Sequence, residues 1–173
     1  MLSMTLLSWY TTPRTLHKAN HFSFHPISEV AALFLGIFVT MIPALEILHA
    51  HAASLPLREP WQFFWLSGGL SSFLDNAPTY LTFTSMASGV VGTSAENLKG
   101  LLNSDLGQSL LRAISCGSVF MGAISYIGNG PNFMVKSIAE HHRVKMPSFG
   151  GFLVYSGIIL IPLFVVLTFI FFR

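Results

Sequence analysis

The residues whose types and spacing could do chemistry lie in two short stretches. In the first, Ser67 to Thr82, Asp75 stands among Ser71, Ser72, Asn76 and Thr79, with Gly68, Gly69 and Pro78 beside them. The second is Gly128-Asn129-Gly130-Pro131-Asn132. Carboxylate, hydroxyl and amide oxygens are hard acceptors suited to a small cation. A carboxylate in a low-dielectric setting favours its protonated form, whereas a bound cation favours the ionised one, so proton and cation compete for it. That competition is a physical basis for exchanging Na⁺ against H⁺. Asp75, Asn76 and Asn129 are candidate Na⁺ ligands, and Ser71, Ser72, Thr79 and Asn132 can complete the shell. The alternative is that Asp75 caps the helix that follows it or pairs with a cation such as Lys136. Both remain open at this level.

These residues need elements that hold them together inside an apolar medium. Trp61 to Leu66 and Tyr80 to Val91, on either side of the first stretch, are apolar and aromatic. An unbroken transmembrane helix would place Asp75 in lipid at about 2.5–3.5 kcal/mol, and Pro78 would interrupt it. Two half-helices meeting at a polar tip satisfy both constraints, because a break at membrane depth is tolerated where protein or a water-filled cavity surrounds it. The second stretch interrupts the apolar run Leu110 to Val135 in the same manner. Gly128 and Gly130 relax the backbone, and Pro131 forbids continuation of the preceding helix. The two breaks share a pattern: Asn76-Ala-Pro78-Thr79 and Asn129-Gly-Pro131-Asn132, each Asn, small residue, Pro, polar residue. Paired interruptions of this kind point to a transporter's midplane site. Each proline suits the first turn of the next half-helix, whose positive end then faces the break.

Composition sets the medium. Of 173 residues, 52% are hydrophobic and 9% charged, against about 25% charged in soluble domains. The chain therefore reads as an all-α integral membrane protein. A net charge of +2 with no basic run gives no sign of a nucleic-acid partner. One cysteine, Cys116, excludes an intrachain disulfide framework and a multi-cysteine zinc site, and reads as a small core residue. His49-x-His51 lacks a third ligand nearby. No nucleophile–base pair, metal cluster or phosphate loop suggests an enzyme, and no cofactor is expected beyond transported Na⁺ and H⁺.

Taken along the chain, residues 27–48 predict a transmembrane helix with Glu29 and Glu46 near its ends and Pro43 kinking it. Residues 61–91 predict a re-entrant hairpin, 109–140 a discontinuous helix, and 149–172 a final transmembrane helix containing Pro162. The apolar stretch Met1 to Tyr10 has no signal-peptide flanks and reads as the tail of an element whose beginning is missing. Loops 11–26 and 136–148 are basic, and basic loops prefer the cytoplasm. Both lie there if 61–91 dips in and returns. Its arms of roughly 12–15 residues are short for a crossing, and the hairpin then opens to the periplasmic or external side.

The segment Ser71-Ser72-Phe-Leu-Asp75-Asn76-Ala-Pro78-Thr79 resembles the Asp-Asn-x-Pro tip of the ion transporter superfamily, closest to its branch of NhaD-type sodium/proton antiporters and citrate transporters. Tyr126-Ile-Gly128-Asn129-Gly130-Pro131-Asn132 through Lys136 is similar to that branch's second discontinuous helix, and Pro26 through Pro43 also matches. The resemblance covers nearly everything after about residue 14, and it implies an elevator-type transporter of two inverted repeats, of which this chain supplies the second. It also implies a companion repeat or polypeptide, a homodimer, and a multi-pass location in a bacterial inner membrane. Sodium/proton antiport is the function expected from the aspartate at the tip. The alternative is citrate or another organic anion carried with sodium or protons, since helix N-termini and asparagines bind carboxylates. A third reading is a non-transporting membrane subunit.

Overall fold

In the computed structural model of the protein, the described residues are 2–20, 56–94, 98–141 and 143–172, together with single positions between 28 and 47. All regular structure among them is helical. Two units are distinguished, residues 1–36 and 37–173. In the first, α1 (Leu2–Thr11) and α2 (Arg14–Ala19) are separated by Pro13, which sets the start of α2. Trp9 lies against His17, ring centroids 4.7 Å apart. In the region expected to form the 27–48 helix, the described positions (among them Ser28, Leu35, Val39 and Pro43) are helical. Glu29, Glu46, His49 and His51 lie outside the described residues.

After those helical positions the second unit continues with α3 (Pro60–Ser71), which has Pro60 in its first turn. There Gln62 Oε1 accepts from the backbone N–H groups of Arg58 (2.9 Å) and Glu59 (3.1 Å), occupying donors that a helix start leaves unpaired. The chain turns through Ser72–Asp75 into α4 (Asn76–Val91), which ends on Gly92 in the left-handed region, φ 79°, a conformation natural to glycine. Phe63 and Phe83 meet edge to face at 6.4 Å. They stand at matching distances on either side of the turn, so α3 and α4 fold back on each other. Short α5 (Leu98–Leu102) leads to α6 (Asp105–Phe120), capped by Ser104, whose Oγ accepts from Gly107 N at 3.0 Å. A 3₁₀ turn, Met121–Ile124, then gives way to irregular backbone before α7 (Gly130–His141). Last comes α8 (Phe149–Phe171), capped by Ser148.

Packing is densest where α6 crosses the hairpin. A Cβ on Gly117 of α6 would run into Phe64 O and Ser67 Oγ of α3, so the two backbones touch, as small residues allow in membrane helices. Phe63, Phe64, Leu110, Ala113 and Ile114 are fully buried in this contact. Helix α8 covers the other side of α3: Phe64 stacks on Phe172 at 4.8 Å and meets Phe164 edge to face at 6.2 Å. Trp65 Nε1 donates to Thr168 Oγ1 at 3.0 Å. Buried hydroxyls inside α4 turn back on their own helix, Thr84 onto Tyr80 O (2.7 Å) and Ser88 onto Thr84 O (3.0 Å), which satisfies them without solvent.

Among the described residues one helix, α8, is long and apolar enough to cross a bilayer. Its 23 residues extend about 35 Å against a hydrocarbon core of about 30 Å. Ile158 and Phe169 are 71% and 64% exposed, a surface that suits lipid rather than water. At 12 and 16 residues, the hairpin arms are shorter than a crossing helix of about 20 residues.

Candidate functional site: the junction of the hairpin tip and the broken helix

The turn between α3 and α4 is pinned to the interruption between α6 and α7 by side chains from both. Ser71 Oγ donates to Ser118 O at 2.5 Å, and Ser72 Oγ donates to Gly68 O (3.0 Å) and Met121 O (3.1 Å). The carbonyls of Ser118 and Met121 are those a helix end leaves without intrahelical partners. The hairpin tip supplies the donors, and helix α6 stops here for that reason as well as for its sequence. From the opposite direction, Ser125 Oγ donates to Ser72 O and accepts from Gly128 N (2.9 Å) and Ile127 N (3.2 Å). Asn132 Nδ2 donates to Gly122 O (3.1 Å) and Ser125 O (3.2 Å).

Asn76 is the hub. Its amide takes the orientation its neighbours dictate, with nitrogen toward Ser118 O (2.8 Å), Ser71 Oγ (2.9 Å) and Gly128 O (3.2 Å), and oxygen toward Asn129 Nδ2 (3.3 Å). One side chain thus touches both breaks. Asp75 precedes it as the N-cap of α4, its Oδ1 accepting from Ala77 N at 3.4 Å. The other carboxylate oxygen faces the start of α7, where a Cβ on Gly130 would lie 3.8 Å from Asp75 Oδ2. Pro78, buried, stands in the first turn of α4, and Pro131 in that of α7. Two helix N-termini therefore open onto one carboxylate. Asp75 and Asn129 are half-buried, so the junction retains access.

The structure separates the candidate residues into three groups. Asp75, Asn76 and Asn129 come together. Ser71, Ser72 and Asn132 also lie at the junction, but their donors are committed to backbone carbonyls that fasten it. Thr79, fully buried, donates to Asp75 O at 3.0 Å and so steadies the first turn of α4. The two glycines expected to relax the backbone differ in role. Neither has a positive φ. A Cβ on Gly128 would meet Gly122 O at 2.6 Å, Ser71 O at 2.8 Å and Ser72 O at 3.0 Å, whereas Gly130 has room. Close approach, not torsional freedom, requires the first of them.

Lys136 is not the partner of Asp75. Its Nζ pairs with Glu140 at 2.7 Å and lies 5.4 Å from the centre of the Tyr126 ring. It sits more than one turn beyond the start of α7, on the far side of the break. The interruption is also longer than Gly128–Asn132 suggests, beginning at Met121. Its cause is the set of outside donors to the carbonyls of residues 118, 121, 122, 124 and 125, which nothing in residues 121–127 announces.

Three residues at the junction escape a reading of the sequence. Gly122 lies so close to Asn76 that a Cβ there would strike the amide. Ser118 Oγ is buried without a hydrogen-bond partner, an uncommon state for a hydroxyl. Ser125 is the central acceptor and donor just described. Its one available signal is that serine directly precedes the Tyr126–Asn132 motif. We expect Ser125→Ala to destabilise the protein by about 1–3 kcal/mol, because it strands the buried Gly128 N–H, the part-buried Ile127 N–H and the Ser72 carbonyl. A thermal melt in detergent that leaves the midpoint unchanged would remove Ser125 from this role.

Comparison with known proteins adds one finding. A family model described as "Putative citrate transport" matches residues 1–172. Searches of curated proteins and of solved structures return no match. The chain belongs to that transport family.

Proposed function

We infer, from membership of a citrate-transport family, that this membrane protein carries citrate or a similar organic anion, with a cation or proton taken at Asp75. The observation that carries the reading is the hydrogen-bonded junction of two helix breaks around one half-buried carboxylate. Helix α8 supplies a depth scale for it. Trp65, midway along α3, bonds to Thr168, and Ile124, beside the tip, accepts from Ser156 Oγ at 2.5 Å. Ser156 stands about 10 Å along α8 from its first residue, so the tip lies well inside the length of the spanning helix. A hairpin that enters beside one end of the spanning helix and turns back inside the membrane accounts for this depth. It favours the re-entrant reading of residues 61–91.

The chemistry of the junction suits an anion accompanied by a cation. The positive ends of α4 and α7 attract carboxylates, while Asp75 repels them unless Na⁺ or H⁺ neutralises it. Asn129 and the Asp75 carboxylate offer oxygens to Na⁺. Coupling follows from that charge balance, since the anion binds well only when the cation does. The working transporter in this reading also contains the companion repeat, pairs as a dimer, and lies as a multi-pass protein in a bacterial inner membrane.

A second reading, sodium/proton antiport without an organic substrate, draws on one observation. Among the described residues Asp75 has no ion-pair partner, Lys136 being taken by Glu140. Reconstituted vesicles separate the two. Uptake of labelled citrate driven by an inward Na⁺ or H⁺ gradient supports anion carriage. Na⁺-driven proton release that is indifferent to citrate supports antiport. With the chain and a complementary repeat both present and folded, silence in both assays would sink both readings and leave a non-transporting subunit.

A further inference from the structure

A second candidate site runs along α6 from Gln108 to Phe120, beside the last turns of α8. It is a cavity of about 660 Å³ lined by Leu102, Leu111, Phe120, Leu167 and Phe171, with Arg112 and Gln108 on its wall. Apolar walls with a few polar groups are the usual composition of a ligand site, and the volume is in the usual range. The charge on the wall is the unusual part. Arg112 is exposed, and its polar contact among the described residues is a long one, Nη2 to Gln108 Oε1 at 3.4 Å. It makes no ion pair among the described residues. A cation two turns into an apolar helix calls for a partner.

The level of the cavity identifies that partner. Leu167, Phe171 and Phe172 form the last turn and a half of the spanning helix and its end, where the hydrocarbon core gives way to headgroups. Trp65 bonds to Thr168 at this same level, the depth tryptophan prefers. Arg112 thus stands where lipid phosphates lie, on the wall of a largely apolar cavity of about 660 Å³. We propose that this cavity binds an anionic phospholipid, its phosphate on the Arg112 guanidinium and one acyl chain along Leu111, Phe120 and Leu167. Guanidinium and phosphate form forked, charge-assisted hydrogen bonds, and the apolar wall distinguishes a lipid from a free anion.

The proposal is independent of what the junction carries, and its test needs no transport. The full chain, purified in detergent, is titrated with dioleoyl phosphatidylglycerol or dioleoyl phosphatidylcholine and read by native mass spectrometry. We expect the anionic lipid to bind with the higher affinity. Arg112→Gln should weaken its binding about tenfold or more, the scale of a charged hydrogen bond. Arg112→Lys should retain part of the preference, and Lys145→Gln, an exposed loop change, should retain all of it. Equal binding of the two lipids by the native chain would overturn the proposal, as would an unchanged affinity in Arg112→Gln. Displacement of the lipid by equimolar inorganic phosphate or citrate would also overturn it, by showing a site for small anions.

Discussion

Asp75→Asn is expected to abolish coupled uptake while leaving the protein folded. Asparagine is as good an N-cap as aspartate, so the bond from Ala77 N and the start of α4 survive the change. What disappears is the negative charge facing Gly130 and, in the proposed reading, the reason for a cation to accompany the substrate. A lost charged contact is worth about 1.5–3 kcal/mol, so the Na⁺ or H⁺ dependence of transport should fall about tenfold or more, beyond recognition in a vesicle assay. Asp75→Ala supplies the control: it removes charge and cap together and should cost a further ~1 kcal/mol of stability. If Asp75→Asn transports like the native protein and only Asp75→Ala fails, Asp75 is a cap and nothing more.

The largest structural effect is expected at Gly128. Any side chain there places its Cβ within 3.0 Å of three backbone carbonyls, those of Gly122, Ser71 and Ser72. Backbone from two separate elements cannot yield as a flexible side chain would. Overpacking alone costs about 1–3 kcal/mol. Separation of the tip from the break would add about 1 kcal/mol for each hydrogen bond lost, those from Ser125 to Ser72 O and from Asn76 to Gly128 O being the first affected. Gly128→Val should therefore lower the melting temperature by many degrees and broaden the elution profile in detergent. Gly130→Ala, two residues on, should do neither, because its Cβ meets nothing closer than Asp75 Oδ2 at 3.8 Å. Equal tolerance of both substitutions would show that the tip and the break are not packed as described.

The paired experiments matter because the two motifs serve different purposes within one site. The tip presents a carboxylate and a helix N-terminus, and the broken helix presents a second N-terminus and the Asn129 amide. Ser71, Ser72, Ser125 and Asn76 bind the two to each other through main-chain carbonyls, and Asn132 ties the break to itself. A fastening made of hydrogen bonds between helix ends and the irregular backbone beside them suits a site that must stay assembled in a medium without water to satisfy stray polar groups.

By itself the sequence determined the medium and where the two half-helices after the breaks begin. Charged residues at 9% leave a membrane as the medium, and the 23-residue apolar run of α8 needs no tertiary context to be recognised. Pro78 and Pro131 announce the two interruptions because proline acts on its own backbone, whatever lies nearby. The tertiary structure alone decided which polar groups face each other. Lys136 lies four positions beyond Asn132 and was open to pairing with Asp75, but helical geometry brings it to Glu140, one turn away. Ser118, Gly122 and Ser125 are ordinary small residues in an apolar run, and only the crossing of α6 over the hairpin makes them part of the junction. Local signals reside in single residues and their periodicity. Long-range close approach depends on which backbones meet, and spacing in one chain does not encode it.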